Sequence, residues 1–440
     1  MTVSPKPATA SERLEACLAR ATDPAGEGSR AFTRLYADRA RAEAEAADAR
    51  ARQGLPLGPL DGRIVSIKDL FDMPGEPTTA GSKLLRGAAP ATAVAPAIAR
   101  LRQAGAVIIG KANMTEFAFS GVGINPHYGT PGNPADRSRI PGGSSSGGAV
   151  SVADGMAEIT IGSDTGGSTR IPAALCGIVG LKPSQYRVPT AGAFPLSFAL
   201  DSIGPMARTV ADCALADAVM AGEMPRPLEP ARLAGLRLGI PRGPLLEGME
   251  PEVAQAFEAT LGRLGKAGAV MGDHPLPLLT EMQAVNAKGG FAASEAFFVH
   301  RAALDSQPGD FDPVVRGRIE RGRMISAADY IFMQRRRAEL IQAMDADLAD
   351  LDALILPTTP IRAPKIADLA ASEEAFTAAN MLLLRNTSVG NFFDLCAISL
   401  PVPAGLRSGN LPIGLMLMTR NGQDRRLLRI AAGMEQLLAQ

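Results

Sequence analysis

Hydrophobic and polar positions along this chain follow two periods. Residues 11–20 and 38–53 carry the helical spacing, and the second run, rich in Ala, Glu and Arg, stops at Gly54, a residue suited to a helix C-terminus. Residues 63–68 alternate and are rich in Ile and Val, which predicts a strand with Ile64, Ser66 and Lys68 on one face and Asp69 turned away. Residues 93–104 read as a helix and 107–110 as a short buried strand, a step of α/β character. Residues 149–156 are small and apolar, as in a tightly packed helix. Strands are expected at 159–162 and 177–181, and a helix at 209–221. The proline-rich stretch 223–230 reads as a join between two halves of one sheet. Beyond it come a strand at 236–240, an amphipathic helix at 251–266, and one or two helices over 326–350. Strands at 351–356 and 412–418 and a closing helix at 424–438 complete the pattern.

Composition narrows the function classes. The chain has 440 residues, 46% of them hydrophobic, so a large core can form. A formal net charge of zero removes any global electrostatic argument for nucleic acid or an anionic membrane surface. The arginine runs at 335–337 and 425–426 read as solvated helix faces. Cys17, Cys176, Cys213 and Cys396 are scattered, as expected of buried thiols in a reducing compartment. Met1 to Ala10 holds no apolar run of the secretory kind, and no stretch approaches the roughly 18 apolar residues of a membrane helix. A cytoplasmic protein is the expectation. No His, Asp and Glu cluster has metal-ligand spacing, so neither metal nor cofactor is expected.

The chemistry concentrates in two glycine-rich stretches, PGGSSSGG at 141–148 and DTGGSTR at 164–170. Three serines between glycine pairs look like a linker in isolation, yet the chain runs on into small apolar residues, which points to a buried serine loop around Ser144, Ser145 and Ser146. In the second stretch, consecutive glycines let the backbone N–H groups of Thr165, Gly166, Gly167 and Ser168 converge on one point, as an oxyanion site or a phosphate cradle would require. A Walker-type phosphate loop would end in Gly-Lys-Ser/Thr, and none is present. A serine hydroxyl is a weak nucleophile until a base takes its proton. Lys68, closing an apolar strand, could snorkel to solvent or, if buried without a counter-ion, lose its charge and act as that base. Of three histidines only His127, in the long loop 119–143, is a rival.

Taken together, Lys68, Ser144 and Ser168 resemble, in order and spacing, the amidase signature family. Segments 58–69 (GPLDGRIVSIKD), 77–82 (PTTAGS), 110–117 (GKANMTEF), 352–358 (DALILPT) and 411–415 (LPIGL) resemble that family too, so the likeness spans about residues 55–438. It implies an α/β fold, a large twisted mixed sheet covered by helices on both faces. An N-terminal helical segment at 1–54 would pack on a catalytic domain at 55–440. It implies Ser168 as acylating nucleophile, Ser144 as a middle serine entered through a cis peptide bond, and Lys68 as terminal base. It further implies an oxyanion hole from the N–H groups of Thr165 to Ser168, with Asp164, Arg170, Ser145 and Ser146 in support. Phe119, Ser120, Gly121, Phe194 and Phe392 are expected in the substrate pocket, which favours an apolar or aromatic acyl or amine group over a charged one. Arg316 and Arg318 are carboxylate candidates for which a surface role is expected. The implied reaction is hydrolysis of a small-molecule carboxamide through an acyl-enzyme, extending to anilides, carbamates or esters. The alternative is the glutaminase-type A subunit of a tRNA-dependent amidotransferase, which works with partner subunits. No nucleic-acid or membrane partner is implied, and a homodimer is left open. One departure is visible: many members have serine where this chain has Gly148.

Overall fold

The computed structural model describes residues 8–439. Residues 1–7, which hold most of the N-terminal stretch read above for a secretory signal, lie outside the described residues. Eleven strands form one sheet: β1 (Phe32–Leu35), β2 (Ile64–Lys68), β3 (Val107–Ala112), β4 (Ile159–Asp164), β5 (Val179–Lys182), β6 (Ser202–Ala207), β7 (Arg237–Ile240), β8 (Val270–Asp273), β9 (Ala353–Pro357), β10 (Cys396–Pro401) and β11 (Gly414–Thr419). Their order across the sheet is β1-β3-β2-β4-β6-β5-β10-β11-β9-β7-β8. β2 lies parallel to both β3 and β4, and β7 to both β8 and β9, while the strands between them pair antiparallel. The sheet is therefore mixed. Strands on either side of the proline-rich 223–230 stretch, β6 and β7, belong to it alike.

Both faces are covered, and the strand sequences show why. Ile64, Val107 and Ile109 pack with Leu14, Leu18, Ala40 and Ala44 of helices Ala10–Ala21 and Ala37–Gln53. Their neighbours Val65, Ile67 and Ile108 pack on the other face with Ile98, Val210, Leu261 and Leu427 from four further helices. A strand buried on both faces reads as a continuous apolar run rather than an alternating one. Among the described residues no helix is long and apolar enough to cross a membrane.

Several elements differ from the sequence expectation. The N-terminal region supplies edge strand β1 as well as helices. β6 was hidden by Gly204 and Pro205, residues that normally interrupt a ladder. A helix runs over Glu373–Phe392, and Asp394, at φ +55°, separates it from β10.

Helix Ser146–Ala153 lies so close to the sheet that only glycine fits at two positions. A Cβ on Gly147 would come within 2.3 Å of the Ala31 carbonyl oxygen, and one on Gly148 within 2.6 Å of Thr160 Oγ1. Thr160 on β4 thus fills the space that a serine at 148 would need. Gly148→Ala is expected to lower the unfolding free energy by about 1–3 kcal/mol in denaturant titrations. Thr160→Ala in the same chain should restore at least half of it. Wild-type stability in the single variant would show that the space exists.

Candidate active site

β2 and β4 run parallel and end side by side, at Lys68 and Asp164. That places Ser163 beside the Lys68 amine. The chain leaves β4 through Thr165-Gly166-Gly167-Ser168 and enters helix Arg170–Cys176. Gly167 has φ +140°, and a Cβ there would sit 2.2 Å from Thr387 Oγ1 on the Glu373–Phe392 helix. The other serine loop turns through Gly142 (φ +81°) and Gly143 (φ +61°) into helix Ser146–Ala153. Both loops are thus forced together by close backbone approach.

Lys68, Ser144 and Ser168 meet here. Lys68 Nζ lies 2.7 Å from Ser144 Oγ and 2.9 Å from Ser163 Oγ. The Ser144 backbone N–H donates to Ser168 Oγ at 3.0 Å. The bond between the two serines therefore starts from a backbone amide rather than a hydroxyl. The described residues contain no cis peptide bond, which corrects the expectation at Ser144. Gly142 and Gly143, both in the left-handed region, make the turn instead. Among the described residues, the N–H groups of Thr165, Gly166, Gly167 and Ser168 have no intrachain acceptor; the Thr169 N–H goes to Asp164, and those of Arg170 and Ile171 to the Gly167 carbonyl.

The electrostatics of the site follow from burial. Lys68 is 1% exposed. Burial pushes its amine down to about 7, and the charges of Asp201 and Asp164 oppose that shift only in part. Burial would raise the Asp164 carboxyl, but the Arg170 guanidinium and Asn391 reverse this and hold it well below the usual carboxylate range. Arg170 grips Asp164 in two-point fashion, Nη2 to Oδ1 at 2.9 Å and Nε to Oδ2 at 3.1 Å. Arg170 also donates to the Thr387 carbonyl and to Asn391 Oδ1, so the loop is braced against the Glu373–Phe392 helix. Ser145 Oγ donates to the Ser163 carbonyl at 3.3 Å, whereas Ser146 Oγ is buried without a partner.

The expected pocket residues separate. The Gly121 carbonyl accepts from the Gly143 N–H, and Gly121 and Gly166 both face Leu384, so segment 119–121 flanks the serine loops. Ser120 Oγ accepts the Val122 N–H. Phe194 is half-buried and stacks on Phe117 and His300. Phe392, by contrast, is core: it packs with Phe393, Met333 and Leu340 beneath helix Ala327–Asp347. His127 pairs with buried Glu116 at 2.8 Å and does not join the serines.

Three residues were missed or misjudged. Ser163 carries no signal of its own, standing between Gly162 and Asp164 at the end of β4. Asp201, seven residues after Phe194, belongs to no motif that would single it out. Arg318 is half-buried and engaged rather than free at the surface: its Nη1 donates to the Phe119 carbonyl at 2.9 Å, and its guanidinium lies 5.9 Å from the rings of both Phe119 and Phe376. Burial pushes it down to about 10, and no carboxylate among the described residues lies within ion-pair distance. Arg316 does stay at the surface, near Glu320. Among the described residues, no group of three or more His, Cys, Asp or Glu side chains could hold a metal ion.

A family model described as Amidase matches residues 12–428. The 2-amino-5-chloromuconic acid deaminase of Comamonas testosteroni is 40% identical, with 91% of this chain and 87% of that protein covered. The A subunit of the glutamyl-tRNA(Gln) amidotransferase of Chloroflexus aurantiacus is 38% identical, with 98% and 93% covered. A crystal structure of an amidase superposes with a TM-score of 0.86 at 33% identity, covering 98% of this chain and 96% of the other.

The Lys68 side chain, observed by NMR in selectively labelled protein, is expected to titrate near pH 7 rather than near the ordinary 10.4 or so. A midpoint above about 9 would mean that its charge is retained despite burial.

Proposed function

The chain belongs to the amidase signature family of enzymes acting on C–N bonds, and from that premise we propose that it hydrolyses the carboxamide of a small molecule bearing a carboxylate, through an acyl-enzyme on Ser168. The observation that carries this reading is the buried Lys68 amine, 2.7 Å from the Oγ of Ser144, the residue whose backbone N–H donates to Ser168 Oγ. An uncharged amine has a lone pair to receive a proton. As Ser168 Oγ attacks the carbonyl carbon, its proton passes to Ser144 Oγ, and the Ser144 proton passes to Lys68. Ser163 Oγ, accepting an N–H of the amine, keeps the lone pair turned toward Ser144.

Negative charge develops on the carbonyl oxygen, and the free N–H groups of the Thr165–Ser168 turn are the donors that receive it. Collapse of the tetrahedral intermediate breaks the C–N bond, and the departing nitrogen takes a proton back from the Ser144–Lys68 pair. Water then attacks the acyl-enzyme by the same route and frees the acid and Ser168. The same steps accommodate an anilide, a carbamate or an ester.

Arg318 supplies the substrate class. A guanidinium stacked between Phe119 and Phe376 without a carboxylate is a cation awaiting an anion, and its partner Phe119 lies two residues from Gly121 at the serine loops. The relative named a 2-amino-5-chloromuconic acid deaminase is, by that name, one that handles an acid. Glutamine is itself a carboxamide with a carboxylate, so the glutaminase reading, favoured by the likeness to the amidotransferase component, falls within the same chemistry.

A panel of carboxylate-bearing amides, neutral amides and glutamine, read by release of ammonia or amine, tests these assignments. Ser168→Ala is expected to abolish turnover, and Lys68→Ala to lower kcat/KM by about 1,000-fold or more. Activity should rise with pH through about 7, because only the uncharged amine is a base. Arg318→Gln should raise KM for the acidic amides about 10- to 100-fold while leaving neutral amides nearly unchanged. Equal effects on both substrate kinds would remove Arg318 from recognition. Ammonia release from glutamine only when partner subunits are added would favour the amidotransferase reading.

A further inference from the structure

We propose that Asp201 is a positioning residue that ties the Thr165–Ser168 turn to the 196–201 loop and sets the electrostatic environment of Lys68. The inference rests on the assignment of Lys68 as base and of that turn as the oxyanion site. Asp201 is one residue before β6, which pairs antiparallel with β4, Asp164 opposite Ser202. It therefore sits across from the point where the turn leaves the sheet. Its Oδ1 accepts the Thr165 hydroxyl at 2.6 Å. Its Oδ2 accepts the N–H groups of Leu196 and Ser197 at 3.0 and 3.1 Å. One carboxylate thereby locks the first residue of the oxyanion turn to a second loop.

That loop is held from the far side as well. Buried Glu295, on helix Gly290–Ser306, accepts the Ser197 hydroxyl and the Ala199 N–H, and takes the Tyr330 hydroxyl. The loop between the two carboxylates has little room to shift, and neither has the Thr165 N–H. Preorganised donors gain their effect from not having to move when charge develops.

Charge is the second half of the role. Lys68 on β2, Asp164 and the Arg170 that neutralises it, and Glu295 are the titratable and charged groups around Asp201. Asp201 is the foremost charge opposing the loss of the Lys68 proton, ahead of Asp164. Without it the amine would be a weaker base, uncharged at lower pH. Asparagine removes the charge but can keep the contacts: its Oδ1 accepts the two backbone N–H groups while its amide N–H donates to the Thr165 hydroxyl, the reverse of the bond seen here.

Three variants test this: Thr165→Val, which removes the hydroxyl but keeps the backbone donor; Thr165→Ser, which keeps both; and Asp201→Asn. Thr165→Val is expected to lower kcat about tenfold or more with KM changed by less than about threefold, and Thr165→Ser to recover most of that loss. Asp201→Asn should move the acid limb of kcat/KM to lower pH by about half a unit or more, a change that a merely structural defect would not produce. Wild-type kcat in Thr165→Val, a loss in Thr165→Ser equal to that in Thr165→Val, or an unmoved limb in Asp201→Asn overturns the proposal. Should Asp201→Asn not fold, the two Thr165 variants decide it. Failure of the underlying assignment is distinct: Ser168→Ala would stay active, or the wild-type limb near pH 7 would be missing.

Discussion

An amine buried without a carboxylate partner is the constraint on which this site depends. Lys68 has hydroxyls for neighbours, Ser144 and Ser163, and no ion pair among the described residues. Keeping a lysine uncharged costs about 1.4 kcal/mol for each unit by which its pKa falls, and the rest of the fold must supply that. The contrast with two other buried lysines is instructive. Lys111, on the neighbouring strand β3, lies 3.1 Å from Glu76 and 3.7 Å from Asp69. Lys182, on β5, donates to the Pro183 carbonyl. Only the lysine facing the serine loops is matched with hydroxyls alone. The one carboxylate at the end of β4 is committed to Arg170, which keeps it from capturing the amine.

Rigid strand ends and glycine contacts make this arrangement possible. β2 and β4 bring Lys68 and Ser163 together by register, with no loop needed to hold them. The serine loops then approach to backbone distance because Gly143 and Gly167 leave no Cβ in the way of Pro172 and Thr387. The Glu373–Phe392 helix acts as a common buttress: Thr387 takes the Gly166 carbonyl, Asn380 accepts from Gly121, and Asn391 joins Asp164 to Arg170. The proposed recognition of an acid draws on the same helix, where Phe376 flanks Arg318 about one to four turns before those contacts.

Much of this was legible in the sequence. The strand at 64–68, the helix at 251–266 and the two serine stretches emerge from spacing and residue type alone, because each is a local pattern. What escaped depends on partners far along the chain. β6 was concealed by Gly204-Pro205, and β10 by apolar residues on both sides of the helix end, Phe392-Phe393 and Leu395-Cys396, with Asp394 at positive φ between them. Phe392 reads as a pocket aromatic yet turns into the core, since a helix carries large side chains on every face and only packing says which face is which. Arg318, Ser163 and Asp201 are single polar residues, given meaning by Phe119, Lys68 and Thr165 respectively, each more than thirty-five positions away. The peptide bond at Ser144 was expected from resemblance rather than from residues, and here the glycines made the turn another way.

The central claim, that an uncharged Lys68 activates Ser168, is tested most directly by a serine-reactive fluorophosphonate. The account predicts a single adduct mapped to Ser168, formed at a rate that climbs as pH rises through about 7 and is lost in Lys68→Ala. An adduct on Ser144, or a labelling rate that stays flat across that range, would contradict it.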